Sequence, residues 1–401
     1  MKRSRFSRRT KQTPDTEELI RLSTSLSLSG GRLEDAFWEK KLAATIDRLL
    51  KGNDEADLNA ALDHLYGAGG RAYDELADMV EYRAESNVHP AAGQSQSQAQ
   101  SQSHGQDLLL FAAPVLAWSR FAIPSGTIGD DLLATLRVQL QAHVLAGDVR
   151  FGLADYFFSP DQLPQSYCET AALADKLGKA ALHGRDLKLD PAQLPETMNF
   201  LSDTRYLIGA VCAPAGSPLF RWQEEDGNRN EALKQWRNQG GEVMRLLLPA
   251  CALEPLLPQS FHAAVRDADR ASRPYSLRSA VAYLQTTLNV PVGNLRAVVA
   301  PYYDRQLEEF RIGFTLGEAP EVVHGVVWPL LENEDEAAEL PVQIEGVLRE
   351  AGVREVLVLD HRFPLEYCDD CGAPLYPNPE GEPVHAELPE QEQEAAPRHL
   401  H

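Results

Sequence analysis

Disulfides, membrane spans and surplus positive charge are all missing from this sequence. Its five cysteines (Cys168, Cys212, Cys251, Cys368, Cys371) are too few, and odd in number, for a disulfide framework in 401 residues. That usage predicts a reducing compartment and a cytoplasmic setting. The longest apolar run, Leu108–Trp118, has 11 residues and is too short to cross a bilayer. Lys and Arg number 38 against 59 acids, giving a formal charge of -21. An acidic body repels phosphate backbones and anionic membranes, so neither nucleic acid nor membrane is an expected partner of the folded core. The signatures GxxxxGK[ST], GxGxxG after a strand, GxSxG and HExxH are absent, and the enzyme classes they mark lose their usual support.

Charge is unevenly placed. Residues 1–11 carry six basic residues and no acid, and residues 1–15 read as a disordered basic arm able to touch nucleic acid or acidic lipid only on its own. Arg8-Arg9 is followed by the polar run Thr10–Asp15 where an export signal needs an apolar segment. At the other end, residues 389–401 read as a disordered tail.

Residues 91–107 are Gln/Ser-rich, too polar to pack, and predict a flexible linker. Before it, residues 16–90 read as an all-α module of four short helices. The second of these buries Phe37, Leu42, Ile46, Leu49 and Leu50.

After the linker, strands alternate with helices and the pattern recurs. Gly147–Tyr156 aligns without gaps with Gly293–Tyr302, each after an amphipathic helix, and Tyr206–Val211 corresponds to Phe310–Thr315. Each copy then reaches a tryptophan (Trp222, Trp328), a helix ending in Gly240 or Gly352, and a strand, Val243–Leu248 or Val356–Leu359. One copy carries an extra helical insertion, about Ser166–Leu201. The predicted class is therefore α+β. An N-terminal helical module precedes a mixed-sheet α/β core of two pseudo-repeats, 108–241 and 242–361, analogous to a tandem of ferredoxin-like units. Arg150, Tyr156, Arg296 and Tyr302, matched between the copies, are candidates for lining a cleft between them.

The most specific chemistry lies in residues 362–388. Cys368-Asp369-Asp370-Cys371-Gly372 spaces two thiolates so that both can face one tetrahedral ion, with Gly372 allowing the tight turn beneath it. This resembles one knuckle of a zinc ribbon, without the second Cys-x-x-Cys. His385 and His361 are the nearest candidates to complete a structural zinc site; His399 and His401 lie in the tail. The competing readings are an unmetallated turn, a metal site shared across a dimer and a redox pair; against the last, Asp369 and Asp370 are expected to raise the thiol pKa by repulsion. Cys168, Cys212 and Cys251, in apolar surroundings, read as packing residues. Asp360-His361 closes a buried-looking strand, where α/β sites gather.

Two stretches, Arg32–Glu39 and Glu366–Pro377 continuing through His385-Ala386-Glu387, resemble a bacterial protein family known only as a domain of unknown function. The resemblance implies a bacterial cytoplasmic setting and carries over no catalytic residue. The expected function is that of a non-enzymatic binding or adaptor protein with a small structural zinc site, its partner a protein or a small molecule. The alternative is an enzyme with a small-molecule site in the cleft between the pseudo-repeats, using His361, Tyr156 and Tyr302.

Overall fold

A computed structural model of the chain shows an α+β protein and describes residues 12–90, 105–198, 200–331, 334 and 339–389. Two compact units divide it, one reaching Arg266 and the other starting at Asp267.

In the first unit, the four expected helices are present as α1 (Pro14–Ser27), α2 (Arg32–Gly52), α3 (Glu55–Ala68) and α4 (Arg71–Glu85). The Thr13 hydroxyl accepts the Thr16 amide at 3.1 Å and Pro14 opens α1, so the helix begins inside the stretch expected to be disordered. Asn53, left-handed at φ 58°, ends α2. Leu19, Leu22 and Leu26 pack with Leu42, Ile46, Leu49, Leu58, Leu62, Leu76 and Val80 at helical spacing. Phe37, expected in this core, is 52% exposed one turn too early on α2.

The helices do not form a separate module. Their core includes Tyr167 and Cys168 from α6 (Tyr167–Leu182), and α4 runs directly into β1 (Ser86–Pro90). That strand pairs antiparallel with β2 (Gly105–Trp118), so the Gln/Ser stretch joins two strands of one sheet. Most of the stretch, residues 91–104, lies outside the described residues.

Further strands of this sheet are β3 (Gly126–Thr127), β4 (Arg150–Phe158), β5 (Ser202–Pro214), β6 (Ala252–Pro255) and β7 (Gln259–Ser260), in the order β1-β2-β5-β4-β3. β5 pairs with β2 from Gln106 to Trp118. Along the other edge of β2 come β1, then β7, then β6. Phe111, Val115, Phe151, Leu153, Leu207 and Val211 pack with Leu136 and Leu140 of α5 (Asp130–His143). α6 covers the opposite face, approaching so closely that a Cβ on Gly178 would meet Leu108 Cδ1 at 1.9 Å. Burial on both faces explains why β2 is a continuous apolar run rather than an alternating one.

Residues 243–248, expected as a strand, are helical. α7 (Arg229–Gln235) passes through a π turn, Trp236–Gly240, into α8 (Gly241–Leu247). Trp236, Val243, Met244 and Leu248 are buried at helical intervals while Leu246 is exposed, so the apolar run has a 3.6 period and not a 2.0 one. Residues 252–260 complete the first sheet through β6 and β7 rather than opening a second repeat.

The second unit contains most of α9 (Phe261–Leu288), then β8 (Leu295–Tyr303), β9 (Leu307–Leu316), β10 (Val322–Pro329), α10 (Leu340–Glu350) and β11 (Glu355–Val358). The short strands β12 (Phe363–Pro364), β13 (Tyr376–Pro377) and β14 (Pro383–Val384) follow. The sheet runs β10-β9-β8-β11, antiparallel except that β11 and β12 lie parallel to β8. Side chains alternate between the two faces along β8 and β9. Ala297, Val299, Phe310, Ile312, Phe314 and Trp328 face Leu277, Leu284, Ile344 and Leu348 of α9 and α10. Ala300 and Tyr302 face the other way, against Phe363.

The duplication is partial. A helix followed by two antiparallel strands recurs as α5-β4-β5 and α9-β8-β9. Beyond that the copies differ: β9 pairs with the later β10, whereas β5 pairs with the earlier β2. Leu153 sits opposite Gly209 and Val299 opposite Ile312, so the matched glycines Gly209 and Gly313 are one residue apart in register.

Candidate metal centre

The segment after β11 has almost no repetitive backbone bonding, because Pro374, Pro377, Pro379 and Pro383 interrupt it. Its order comes from three local devices. The first is a knuckle: Tyr367 bridges Pro374, the Cys368 amide donates to the Ala373 carbonyl at 2.7 Å, and the Gly372 amide to the Cys368 carbonyl at 2.8 Å. Gly372 sits at φ 71°, a conformation a side chain would strain. The second is the β13–β14 hairpin, closed by buried Asn378, whose side-chain Oδ1 accepts the amides of Glu380 at 3.0 Å and Glu382 at 2.8 Å.

Attachment to the sheet is the third. Arg311 of β9, fully buried, is paired with Glu309 at 2.7 Å and donates to the carbonyls of Glu366 at 2.6 Å and Leu375 at 2.8 Å. Those two carbonyls flank the knuckle. Its guanidinium also stacks against Tyr302 and Tyr367, 4.3 and 4.9 Å from the ring centres. Gly313 and Gly325 let β13 lie flat: a Cβ would meet the Pro377 carbonyl oxygen or the Tyr376 ring, each at 2.3 Å. The Glu387 amide then bonds the Val322 carbonyl at 2.9 Å, carrying His385 back beside the knuckle.

Cys368, Cys371 and His385 thereby place their ligand atoms within 4.8 Å of one another, with Cys371 Sγ 3.2 Å from His385 Nε2. Tetrahedral zinc, with bonds of about 2.3 Å to sulfur and about 2.1 Å to nitrogen, requires donor separations of about 3.5–3.8 Å. The three groups are within small adjustments of that geometry. The Nδ1 face of His385 lies 3.6 Å from a Glu387 carboxylate oxygen, the kind of partner that fixes a ligating imidazole with Nε2 toward its ion.

The repulsion expected from the aspartates acts on Cys368 through Asp370 but does not decide its state. Cys368 is held below the ordinary thiol range because the backbone N–H groups of Cys371 and Asp370 point at its sulfur, outweighing repulsion from Asp370. The turn itself favours the thiolate that a metal needs. Burial instead pushes Cys168 up to about 12 and Cys212 to about 11, as befits packing residues, and Cys251 is raised for the same reason.

His361 is not brought to the group. Its ring packs on Phe363 at 4.2 Å between centres, and its Nε2 lies 3.3 Å from the Gly381 carbonyl. His399 and His401 lie outside the described residues. In the first unit, Arg150 is an exposed strand residue donating to the Leu182 carbonyl at 2.8 Å, while Tyr156 is buried and accepts from Gln162 at 3.1 Å. In the second, Arg296 pairs with Glu355 at 2.6 Å. Tyr302 is wholly buried and burial raises its phenol far above the ordinary value. Each of the four is engaged by neighbours within its own unit.

Sequence reasoning missed Arg311, Gly313, Gly325 and Asn378. Arg311 did carry a signal: Glu309-x-Arg311 puts opposite charges on one face of an apolar strand, as Asp203-x-Arg205 does in β5.

Neither the curated proteins nor the solved structures provide a match to this chain. A family model does match, described as Protein of unknown function (DUF2863) and covering residues 4–399, and the chain belongs to that family.

Proposed function

We propose that this chain is a non-enzymatic binding or adaptor protein of the cytoplasm whose C-terminal segment is fastened by one zinc ion. The observation that carries the metal reading is the convergence of Cys368, Cys371 and His385 within 4.8 Å. When bound, zinc supplies a cross-link between a knuckle and a hairpin that share no core of their own. Cys368 and Cys371 hold it as thiolates, His385 through Nε2. The acidic composition and the missing catalytic signatures support a protein or small molecule as partner.

Metal analysis of chain purified without chelators tests the first part. Near one zinc per chain is expected, lost in the Cys368→Ser/Cys371→Ser double variant. Chain that holds no stoichiometric metal under those conditions leaves only an ordinary turn. For the second part, affinity capture is expected to return a reproducible partner; turnover of a metabolite with no such partner reverses the reading.

A further inference from the structure

Resting on the zinc reading, we propose that the bound ion keeps its fourth coordination position open and takes there one monodentate nitrogen or sulfur donor from outside the chain. Closed structural zinc sites have four protein ligands, whereas exchange-capable ones have three and a replaceable fourth. Among the described residues the donor group has three members, Cys368, Cys371 and His385.

The neighbour best placed in sequence to close the site is committed elsewhere. His361 lies on Phe363 with Nε2 at the Gly381 carbonyl, and a Cβ on residue 381 would come within 3.0 Å of the imidazole. A glycine at that turn is what admits the ring. The three donors are also held independently of any fourth. Amide bonds shape the knuckle beneath Cys368, the Glu387 carboxylate stands behind His385, and the Glu387 amide ties that stretch to β10.

Location and charge select the visitor. Cys371 is exposed and His385 half-exposed, so solvent reaches the centre. Two thiolates neutralise the ion's double charge, so no further anion is needed for balance. A thiolate-rich ion favours imidazole or thiolate over carboxylate. Water occupies the position at rest and leaves when such a donor arrives; nothing is oxidised or reduced.

Cobalt substitution tests this, since four-coordinate cobalt with thiolate ligands absorbs visibly. The full chain loaded with Co(II) is expected to show such bands, and imidazole is expected to shift them saturably, one equivalent per chain. The His361→Ala variant and the His399→Ala/His401→Ala double variant are expected to shift in the same way. Bands unmoved by saturating imidazole, or a spectrum altered in the double tail variant before imidazole is added, overturn the inference while leaving the zinc reading intact. Failure to take up cobalt or zinc fells the zinc reading itself, and the open position with it.

Discussion

Arg311 is the residue on which the C-terminal segment depends most. Its charge is fully buried, and it satisfies the backbone carbonyls of Glu366 and Leu375. Arg311→Ala is expected to destabilise the second unit by about 3–5 kcal/mol, because Glu309 is left as an uncompensated buried charge. Denaturant titration reads the loss, and proteolysis should cut first between residues 363 and 388. Glycines offer a contrast of sign. Gly313→Ala drives a methyl into a backbone carbonyl and should cost about 1–3 kcal/mol. Gly346→Ala, on α10 with open space around it, should stabilise by about 0.5–1 kcal/mol through helix propensity. Equal effects at the two sites would refute the close approach of β13. The Cys-x-x-Cys spacing could be read directly from sequence, as a local feature, whereas the Thr13 cap was hidden in a stretch read as a disordered arm. Gly313 and Gly325 could not, since what they accommodate, Pro377 and Tyr376, lies 64 and 51 residues away along the chain.

Among the elements, the meeting of α4 with the start of α9 has titratable groups in opposition. Glu85 is raised to about 7 by burial, against a hydrogen bond from the His262 amide, with Glu81 adding repulsion. The His262 ring is pushed down to about 4 by burial and by Arg266. Asp78 and the Glu81–Arg266 pair complete the surroundings. The carboxyl keeps a proton that the unfolded chain loses, so its contribution falls as pH rises from about 4.5 to about 7. The imidazole refuses a proton that the unfolded chain accepts, so its contribution falls as pH drops from 6.5 to about 4. Their slopes oppose each other in the shared window. Glu85→Gln should gain on the order of 3 kcal/mol at pH 8 and nothing at pH 4. It should also become acid-sensitive between those limits, as measured by urea unfolding across pH. Matching profiles for the two proteins would rule the arrangement out. Element type was legible wherever a period was unambiguous, as in α1 to α4. It failed at 243–248, where Leu246-Leu247-Leu248 suits either period until the burial of Trp236 decides it.

For the whole molecule, the class was legible because the N-terminal helices and later strands are separated in sequence and strongly patterned. The dependence of the helices on the rest of their unit was not, because the α6 residues that join their core follow about 80 residues later. Metal removal tests the division of labour. Chelation should raise hydrogen exchange across residues 363–388 and leave the first unit's sheet protected, since that sheet is buried on both faces by its own apolar side chains. Uniform loosening of the whole chain would contradict it. β2 has a further consequence, in time rather than space. Its free edge is closed by strands ending at Ser260, more than a hundred residues downstream of Trp118. At bacterial or eukaryotic translation speeds that edge stays open for on the order of 10–30 s while the rest of the partner strands leave the ribosome. The nascent chain therefore presents Phe111–Trp118 of its most apolar strand unpaired on that side during synthesis, and fragments ended before residue 252 should aggregate where the complete chain does not.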